Sequence, residues 1–193
     1  MRRAEEERCT AETAVRVALD LDGSGCVTLG TGLPFLDHML NAFARHGRFD
    51  LEVEATGDLA VDAHHTVEDV GIVLGTVLGR AIGEGRGIRR FGQAAIPMDE
   101  SLAEVALDCC GRSYLVFDAP FNGTSVGGLD VTLVPHFFES LCRHAGVTMH
   151  VRAYGRNDHH LTEAIFKAAG VALRSAVALD GLADAVPSTK GVL

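Results

Sequence analysis

One short motif occurs twice in the chain and carries residue types that bind transition metals. Residues 64–68 read HHTVE and residues 159–163 read HHLTE, so both copies follow the pattern HHxxE at a separation of 95 positions. Composition alone predicts roughly 0.03 chance copies of this pattern. On a helix, the first His and the Glu share one face, whereas the second His points about 100° away. Each copy therefore offers one His and a Glu to one metal ion and its second His to another.

The likeness between the two copies extends upstream. Residues 37–47 read DHMLNAFARHG and residues 135–146 read PHFFESLCRHAG, so His38 and His136 stand at equivalent positions. Adding them gives six His and two Glu, which divide evenly into two sites of three His and one carboxylate. The predicted metal ligands are His38, His64, His65, Glu68, His136, His159, His160 and Glu163.

This ligand set indicates an open, catalytic type of metal centre. It contains no thiolate, and imidazole together with carboxylate favours harder transition-metal ions such as Mn²⁺. Four protein ligands on an octahedral ion leave two positions open, which is typical of catalytic rather than closed structural sites. A single His-His pair is more often a capped helix start or a solvated loop. Two matched copies with matched upstream histidines favour metal binding instead.

The elements that must position these residues have the same order in both parts of the chain. In the first part we predict strands at 13–20, 26–30 (returning after a turn at 22–25) and 49–55, and helices at 33–46 and 64–82. In the second part we predict strands at 91–98, 102–109 and 147–153, a strand extension or extra strand at 112–117, and helices at 130–144 and 160–179. The pattern predicts an α+β fold made of a duplicated β-β-α-β-α unit, with helices packed on one face of the sheets. Residues 1–193 then form one catalytic domain of two similar halves, about 1–86 and 87–193.

Length and composition limit the classes of function. The chain of 193 residues has the size of one domain, and 47% hydrophobic with 22% charged residues is typical of a globular protein. A formal net charge of −9 argues against nucleic acid or an anionic membrane as the main partner. The 5 cysteines form no CxxC pair, which fits a reducing compartment. No signal peptide or membrane-spanning stretch is visible, so we expect a cytoplasmic protein.

Few residues are available to bind an anionic group in so acidic a chain. Lys167 lies four residues after Glu163 and therefore on the same helical face. The segment PSTKG at 187–191 brings hydroxyls and a lysine close together, as a phosphate site requires, although an exposed tail explains it equally well. The candidate phosphate contacts are Arg90, Arg112, Lys167, Ser188, Thr189 and Lys190.

Other polar residues have a simpler structural interpretation. His46 and His144 suit the carboxyl end of a helix, where the dipole favours a positive charge. Asp99 and Glu100 fall between two predicted strands and suit a hairpin turn. Nothing local singles out Glu12, which precedes the first predicted strand.

Taken together, these segments resemble the imidazoleglycerol-phosphate dehydratases of histidine biosynthesis. The resemblance spans nearly the whole chain and rests on LPFLDHML (33–40), DAHHTVEDVG (62–71), IPMDES (96–101), PHFFESL (135–141), GRNDHHLTEAIFKA (155–168) and PSTKGVL (187–193). It implies two Mn²⁺ ions per active site, bound by the eight ligands predicted above. It also implies a homo-oligomer of 24 subunits with active sites at subunit interfaces. The length of the chain resembles that of the monofunctional form.

The resemblance implies a phosphorylated imidazole as substrate. Imidazoleglycerol phosphate would bind the ions through its two ring nitrogens, which favours the imidazolate. The anionic ring expels the neighbouring hydroxyl to give a diazafulvene, and loss of the next proton leads through an enol to imidazole-acetol phosphate. The expected substrate contacts are Glu12, His38, His46, Arg90, Arg112, Lys167, Ser188, Thr189 and Lys190. The expected catalytic residues are Glu12, His65, Glu163 and Lys167, with Glu163 and Glu12 as alternative general bases.

Two other functions stay open at this point. A dinuclear hydrolase of a phosphorylated or amide substrate would use a metal-activated water, but such sites usually have bridging carboxylates, and here His outnumbers Glu three to one. A metal-storage shell is the alternative that is not an enzyme. Storage proteins built on four-helix bundles are all-helical and rich in carboxylates, whereas this chain has a mixed pattern. A requirement for imidazole in the substrate excludes the hydrolase, and turnover excludes storage.

Overall fold

The computed structural model describes residues 2–181, 185–191 and 193, and within these ranges the chain forms four helices and ten strands. The helices are α1 (Pro34–Gly47), α2 (His64–Ile82), α3 (Leu133–Ala145) and α4 (Asp158–Val177). The strands are β1 (Arg3–Cys9), β2 (Thr13–Asp20), β3 (Val27–Gly30), β4 (Asp50–Gly57), β5 (Phe91–Met98), β6 (Ser101–Asp108), β7 (Tyr114–Asp118), β8 (Ser125–Val126), β9 (Leu129–Asp130) and β10 (Thr148–Tyr154). Among the described residues, no helix is both long enough and apolar enough to cross a membrane.

Two four-stranded sheets with equivalent strand order form the outer layers. The first has the order β1-β2-β4-β3 and the second β5-β6-β10-β7. In each sheet one edge strand, β3 or β7, pairs in parallel with its neighbour, while the other pairs are antiparallel. The hairpin of β8 and β9 is inserted before α3, so this helix begins three residues later than predicted. The α+β fold class is confirmed, and the repeated order shows the duplication in three dimensions.

The four helices form the layer between the two sheets. α2 packs on β1 and β2, α4 packs on β5 and β6, and the pairs α1 with α4 and α2 with α3 pack against each other. One apolar core joins these layers and includes the fully buried rings of Phe49, Phe137, Phe138 and Phe166. The first helix of each half therefore packs on the HHxxE helix of the other half. The predicted boundary near residue 86 stays a prediction.

The repeated unit has one more strand than the sequence analysis predicted. The segment Arg3–Cys9 reads RAEEERC and pairs antiparallel with β2, from Arg3 opposite Asp20 to Cys9 opposite Ala14. Its charges hid it, because no residue of this edge strand is buried and charged residues stand on both faces, so the segment shows no apolar alternation. Exposed charges on such an edge also discourage pairing with other chains. With β7 in the second half, the order of the main elements becomes β-β-β-α-β-α in both halves.

The strand β3 does not return along β2 as the turn at 22–25 suggested. It runs parallel to β4 instead. One oxygen of Asp50, at the start of β4, accepts hydrogen bonds from the backbone N–H groups of Ser24, Gly25 and Cys26 at 2.8, 3.0 and 2.9 Å. Gly25 adopts the left-handed region with φ of +92°. These bonds attach the turn to β4, and they lower the pKa of Asp50, with the bond from Ser24 as the largest cause.

Candidate active site

Each HHxxE motif forms the first turn of its helix. The side chain of Asn157 accepts hydrogen bonds from the backbone N–H groups of His159 and His160, at 2.9 and 3.4 Å. At the start of α2, Asp62 accepts the backbone N–H of His64 at 2.7 Å. Side-chain acceptors at these positions satisfy N–H groups that have no partner within the helix. They fix where both helices begin and hence the directions of the motif side chains.

Three predicted ligands meet where α1 packs on α4, and we call them the Glu163 cluster: His38, His159 and Glu163. The Nε2 atoms of both histidines lie 3.1 and 3.2 Å from Oε2 of Glu163. Lys167 Nζ lies 2.7 Å from Oε1 of the same carboxylate. Burial acts to raise the pKa of Glu163, but the hydrogen bond and charge of Lys167, followed by His38, outweigh it and lower the pKa. At the end of α1, burial and then the charge of Lys167 lower the pKa of His46.

The second group, the Glu68 cluster, consists of His64, Glu68 and His136 and lies between α2 and α3. The rings of His64 and His136 stack with centroids 4.6 Å apart. Nε2 of His136 is 3.4 Å from Oε1 of Glu68, a contact that does not form a hydrogen bond. Among the described residues this buried nitrogen has no hydrogen-bond partner. A buried nitrogen of that kind is typical of a position that an ion or another ligand completes.

Both clusters fit a transition-metal ion. In each, one ligand atom per residue lies within 4.8 Å of the others. Two imidazoles and a carboxylate are donors that Mn²⁺ and similar ions accept. Each cluster combines the upstream His of one half with the motif of the other half. In the described part of the chain, each cluster has one His fewer than the set predicted from spacing.

The second His of each motif lies outside both clusters. Nδ1 of His65 is 3.0 Å from Oδ2 of Asp58 and 3.7 Å from Oε2 of Glu12. Nδ1 of His160 is 2.9 Å from Oε2 of Glu100. The hydrogen bonds that the rings donate to Asp58 and Glu100 are the largest causes that raise the pKa of His65 and His160. Consecutive residues of a helix point about 100° apart, which agrees with the position of the second His outside its cluster. The rings of His65 and His160 are therefore available to ions other than those in the clusters.

Two carboxylates that the sequence did not single out as site residues, Asp58 and Glu100, contact the second His of each motif. Glu100 does lie in a turn, between β5 and β6, but it also contacts His160. Its pKa falls to about 2, with the hydrogen bond to His160 as the largest cause. The internal repeat could have indicated that Glu100 lies beside a motif histidine. Glu100 precedes β6 directly, as Glu12 precedes β2, and both acids lie beside the second His of a motif.

The candidate phosphate contact Arg90 lies at the opposite end of the second half. Its guanidinium donates to both oxygens of Asp108, at 2.7 and 3.0 Å, and to the carbonyl of Pro187 at 2.8 Å. Its backbone N–H bonds to the carbonyl of Ala176, near the end of α4. Because a helix rises 1.5 Å per residue, Ala176 lies roughly 24 Å from His160. Within one chain, Arg90 therefore does not meet the motif residues.

The remaining candidates for phosphate binding are exposed or partly exposed. Ser188 Oγ accepts the backbone N–H of Lys190 at 3.2 Å, in the segment that Arg90 holds through Pro187. Thr189 and Lys190 are exposed, as is Arg112 before β7. The fold thus brings Lys167 to the Glu163 cluster and leaves the carboxyl-terminal candidates near Arg90. The roles of all these residues stay predictions.

Comparison with known proteins identifies the family. The family model described as imidazoleglycerol-phosphate dehydratase matches residues 31–173. Relatives of that name from Methanoculleus marisnigri and Methanosphaerula palustris are 60% and 56% identical, and each alignment covers 100% of both chains. The imidazoleglycerol-phosphate dehydratase structure from Staphylococcus aureus has a TM-score of 0.83 and 37% identity over 92% of this chain and 99% of that chain. The IGPD structure from Pyrococcus furiosus has the same TM-score and identity over 97% of this chain and 100% of that one. The chain belongs to the imidazoleglycerol-phosphate dehydratase family and is accordingly an enzyme, a hydro-lyase of histidine biosynthesis.

Proposed function

We propose that the chain dehydrates imidazoleglycerol phosphate to imidazole-acetol phosphate with two Mn²⁺ ions per active site. The observation that carries this proposal is the pair of clusters, each with two imidazoles and one carboxylate. Bound Mn²⁺ would supply Lewis acidity at the two ring nitrogens of the substrate and favour the imidazolate. A dinuclear hydrolase is less well supported, because Glu68 and Glu163 belong to different clusters and neither bridges them.

We further propose that each active site is shared between copies of the chain in a cytoplasmic homo-oligomer, a 24-mer by family resemblance. Each cluster has three ligands, and the fourth predicted ligands, His65 and His160, lie outside both clusters. The phosphate candidates near Arg90 are also separated from His160 by roughly the length of α4. A second copy would supply what one chain cannot bring together. Closed symmetric assemblies commonly place such shared sites at their interfaces.

The substrate's C–H proton needs a carboxylate base, and the two candidates differ in their surroundings. Both oxygens of Glu163 are engaged, Oε1 by Lys167 and Oε2 by His38 and His159. The Glu12 side chain is 55% exposed and contacts His65 at 3.7 Å. A general base must reach the proton that it removes with a free oxygen. We therefore assign proton removal to Glu12 and ion binding to Glu163.

The arginines, Ser188, Thr189 and Lys190 would hold the phosphate through charge-assisted hydrogen bonds. In one chain, Asp108 already occupies two donors of Arg90. The carboxylate fixes the plane of the guanidinium, and the hydrogen bond to Pro187 links it to the segment that contains Lys190. These contacts would position the phosphate donors together before the substrate arrives.

Turnover of imidazoleglycerol phosphate by chelator-stripped protein, before and after Mn²⁺ is restored, tests the proposal. Particle mass is followed in the same samples. We expect activity only with Mn²⁺, together with an increase in mass. Glu12→Gln is the matched variant, expected to keep the mass increase and to lose turnover. Turnover of the stripped protein would exclude metal dependence, and stoichiometric Mn²⁺ binding without turnover would favour storage.

A further inference from the structure

A carboxylate lies behind the second histidine of each motif. Oε2 of Glu100 is 2.9 Å from Nδ1 of His160, and Oδ2 of Asp58 is 3.0 Å from Nδ1 of His65. An ionised carboxylate only accepts hydrogen bonds, so the proton of each neutral ring lies on Nδ1. The lone pair of Nε2 is then free. This is the form in which a neutral imidazole binds a metal ion.

Glu100 is fixed by bonds that do not involve the histidine. Its Oε1 accepts hydrogen bonds from the Ser101 hydroxyl at 3.0 Å and from the backbone N–H groups of Asn157 and Arg156 at 2.9 and 3.2 Å. Asn157 in turn caps α4. Glu100 therefore joins the turn before β6 to the first turn of α4, and its Oε2 is left for His160. The His160 ring therefore bonds to a carboxylate whose own position is fixed by backbone N–H groups.

Asp58 contacts His65 as Glu100 contacts His160, but fewer hydrogen bonds hold its carboxylate. It follows β4 directly, and among the described residues its carboxylate hydrogen-bonds to His65 alone. The Glu12 carboxylate approaches the same Nδ1 atom at 3.7 Å. Removing the Asp58 carboxylate therefore tests the contact to His65 without breaking other hydrogen bonds.

We propose that Glu100 and Asp58 are positioning residues that fix the tautomer and the direction of His160 and His65 as metal ligands. The inference rests on the proposed function, because it requires these histidines to bind ions. Partners behind a ligating histidine orient the ring and raise the basicity of the ligand. Their loss typically lowers metal affinity by about 10–100-fold.

The experiment measures Mn²⁺ dissociation constants from the electron paramagnetic resonance signal of free Mn²⁺, in chelator-stripped protein without substrate. We expect Asp58→Ala to raise the dissociation constant of one of the two ions by about 10–100-fold and to leave that of the other unchanged. Asp58→Asn retains a carbonyl acceptor for Nδ1–H and is expected to recover most of that loss. The double variant Glu12→Ala/Asp58→Ala excludes replacement of Asp58 by its neighbour, because neither position then offers a side-chain acceptor to Nδ1–H. Glu100→Ala is expected to raise the dissociation constant of the ion that His160 binds.

Asp50→Asn is the matched control, because Asp50 holds three backbone N–H groups and no histidine. It is expected to lower stability and leave both dissociation constants unchanged. Unchanged constants in Asp58→Ala, in the double variant and in Glu100→Ala would overturn the inference and leave the metal-dependent function standing. Wild-type protein that binds no Mn²⁺ would overturn both. An equal loss in Asp50→Asn would show general loosening and would also overturn the positioning role.

Discussion

The Glu163 cluster depends on the close approach of α1 to α4, and one glycine permits that approach. A Cβ at Gly170 would lie 2.2 Å from the carbonyl oxygen of Phe43 and 3.1 Å from the backbone nitrogen of Gly47. Real Cβ contacts essentially never fall below 3.0 Å, so Gly170→Ala must separate the helices by about 0.8 Å or more. His38 lies on α1, whereas the rest of the cluster lies on α4. The substitution therefore pulls the cluster apart.

Two opposing effects determine the stability of Gly170→Ala. Alanine is favoured over glycine inside a helix by about 1 kcal/mol. Forcing a methyl group into a close-packed contact costs about 1–3 kcal/mol, and here the contact is with backbone, which has no rotamer to change. The backbone contact places the cost at the upper end of that range, about 3 kcal/mol, so after the gain in helix propensity the free energy of unfolding is expected to fall by about 2 kcal/mol. We also expect the Mn²⁺ affinity of the Glu163 cluster to fall at least about tenfold, which corresponds to about 1.4 kcal/mol.

Urea unfolding of the metal-free protein and Mn²⁺ titration measure these two effects. Gly79→Ala is the control, because its Cβ would meet the backbone of His144 and Ala145 at 3.3 and 3.4 Å, close to ordinary contact. That variant gains helix propensity and is expected to be at least as stable as the wild type. A Gly170→Ala protein as stable as the wild type, with both ions bound at full affinity, would refute the reasoning.

Three other predictions concern single side chains. Lys190→Ala is expected to raise KM about tenfold with little change in kcat, because it removes a charged donor to the phosphate; steady-state kinetics with unchanged KM would exclude Lys190 from the site. Backbone hydrogen bonds, with that from Ser24 as the largest cause, lower the pKa of Asp50 in the folded protein. The ionised carboxylate therefore stabilises the fold above the ordinary pKa of Asp, and this stabilisation is lost as the pH falls through the pKa of the folded state. Urea unfolding should show Asp50→Asn less stable than wild type at pH 7, with a deficit that shrinks as the pH falls below the ordinary Asp pKa of about 4; a deficit that does not change with pH would contradict this. Burial raises the pKa of Cys109 and Cys142 to about 12, so at pH 8 only exposed thiols should react with a disulfide reagent until the chain unfolds, and more than two fast thiols would contradict this.

The helices were predictable because their signals are local. α2 occupies 64–82 as predicted, and α1 is displaced by one residue from its predicted range. Apolar spacing and an early proline mark these helices within the segment itself. The strand β1 and the pairing of β3 were not predictable in the same way. β1 carries charges along a solvated edge, and the pairing of β3 depends on Asp50, about 25 residues further along the chain.

The residue types of the site could be predicted from the sequence, but not which of these residues lie together in each cluster. The spacing of HHxxE placed a His and a Glu on one face, and His64 with Glu68 shows this within one cluster. Which upstream histidine joins which motif depends on how the helices pack, and the sequence left this open. His38 joins Glu163, in the other half of the chain. The second carboxylate partners, Asp58 and Glu100, depend on turns that only the folded sheets bring to the motifs.

The crossed pairing makes each cluster dependent on both halves. The second half contains His136, His159 and Glu163, but His136 belongs to the Glu68 cluster, whereas the other two belong to the Glu163 cluster. Neither half alone can therefore assemble the ligands of either cluster. An ion bound at α1 and α4, or at α2 and α3, would hold the two halves together and stabilise the folded state in proportion to the logarithm of metal concentration. Metal binding thus serves as a measure of how the halves are packed.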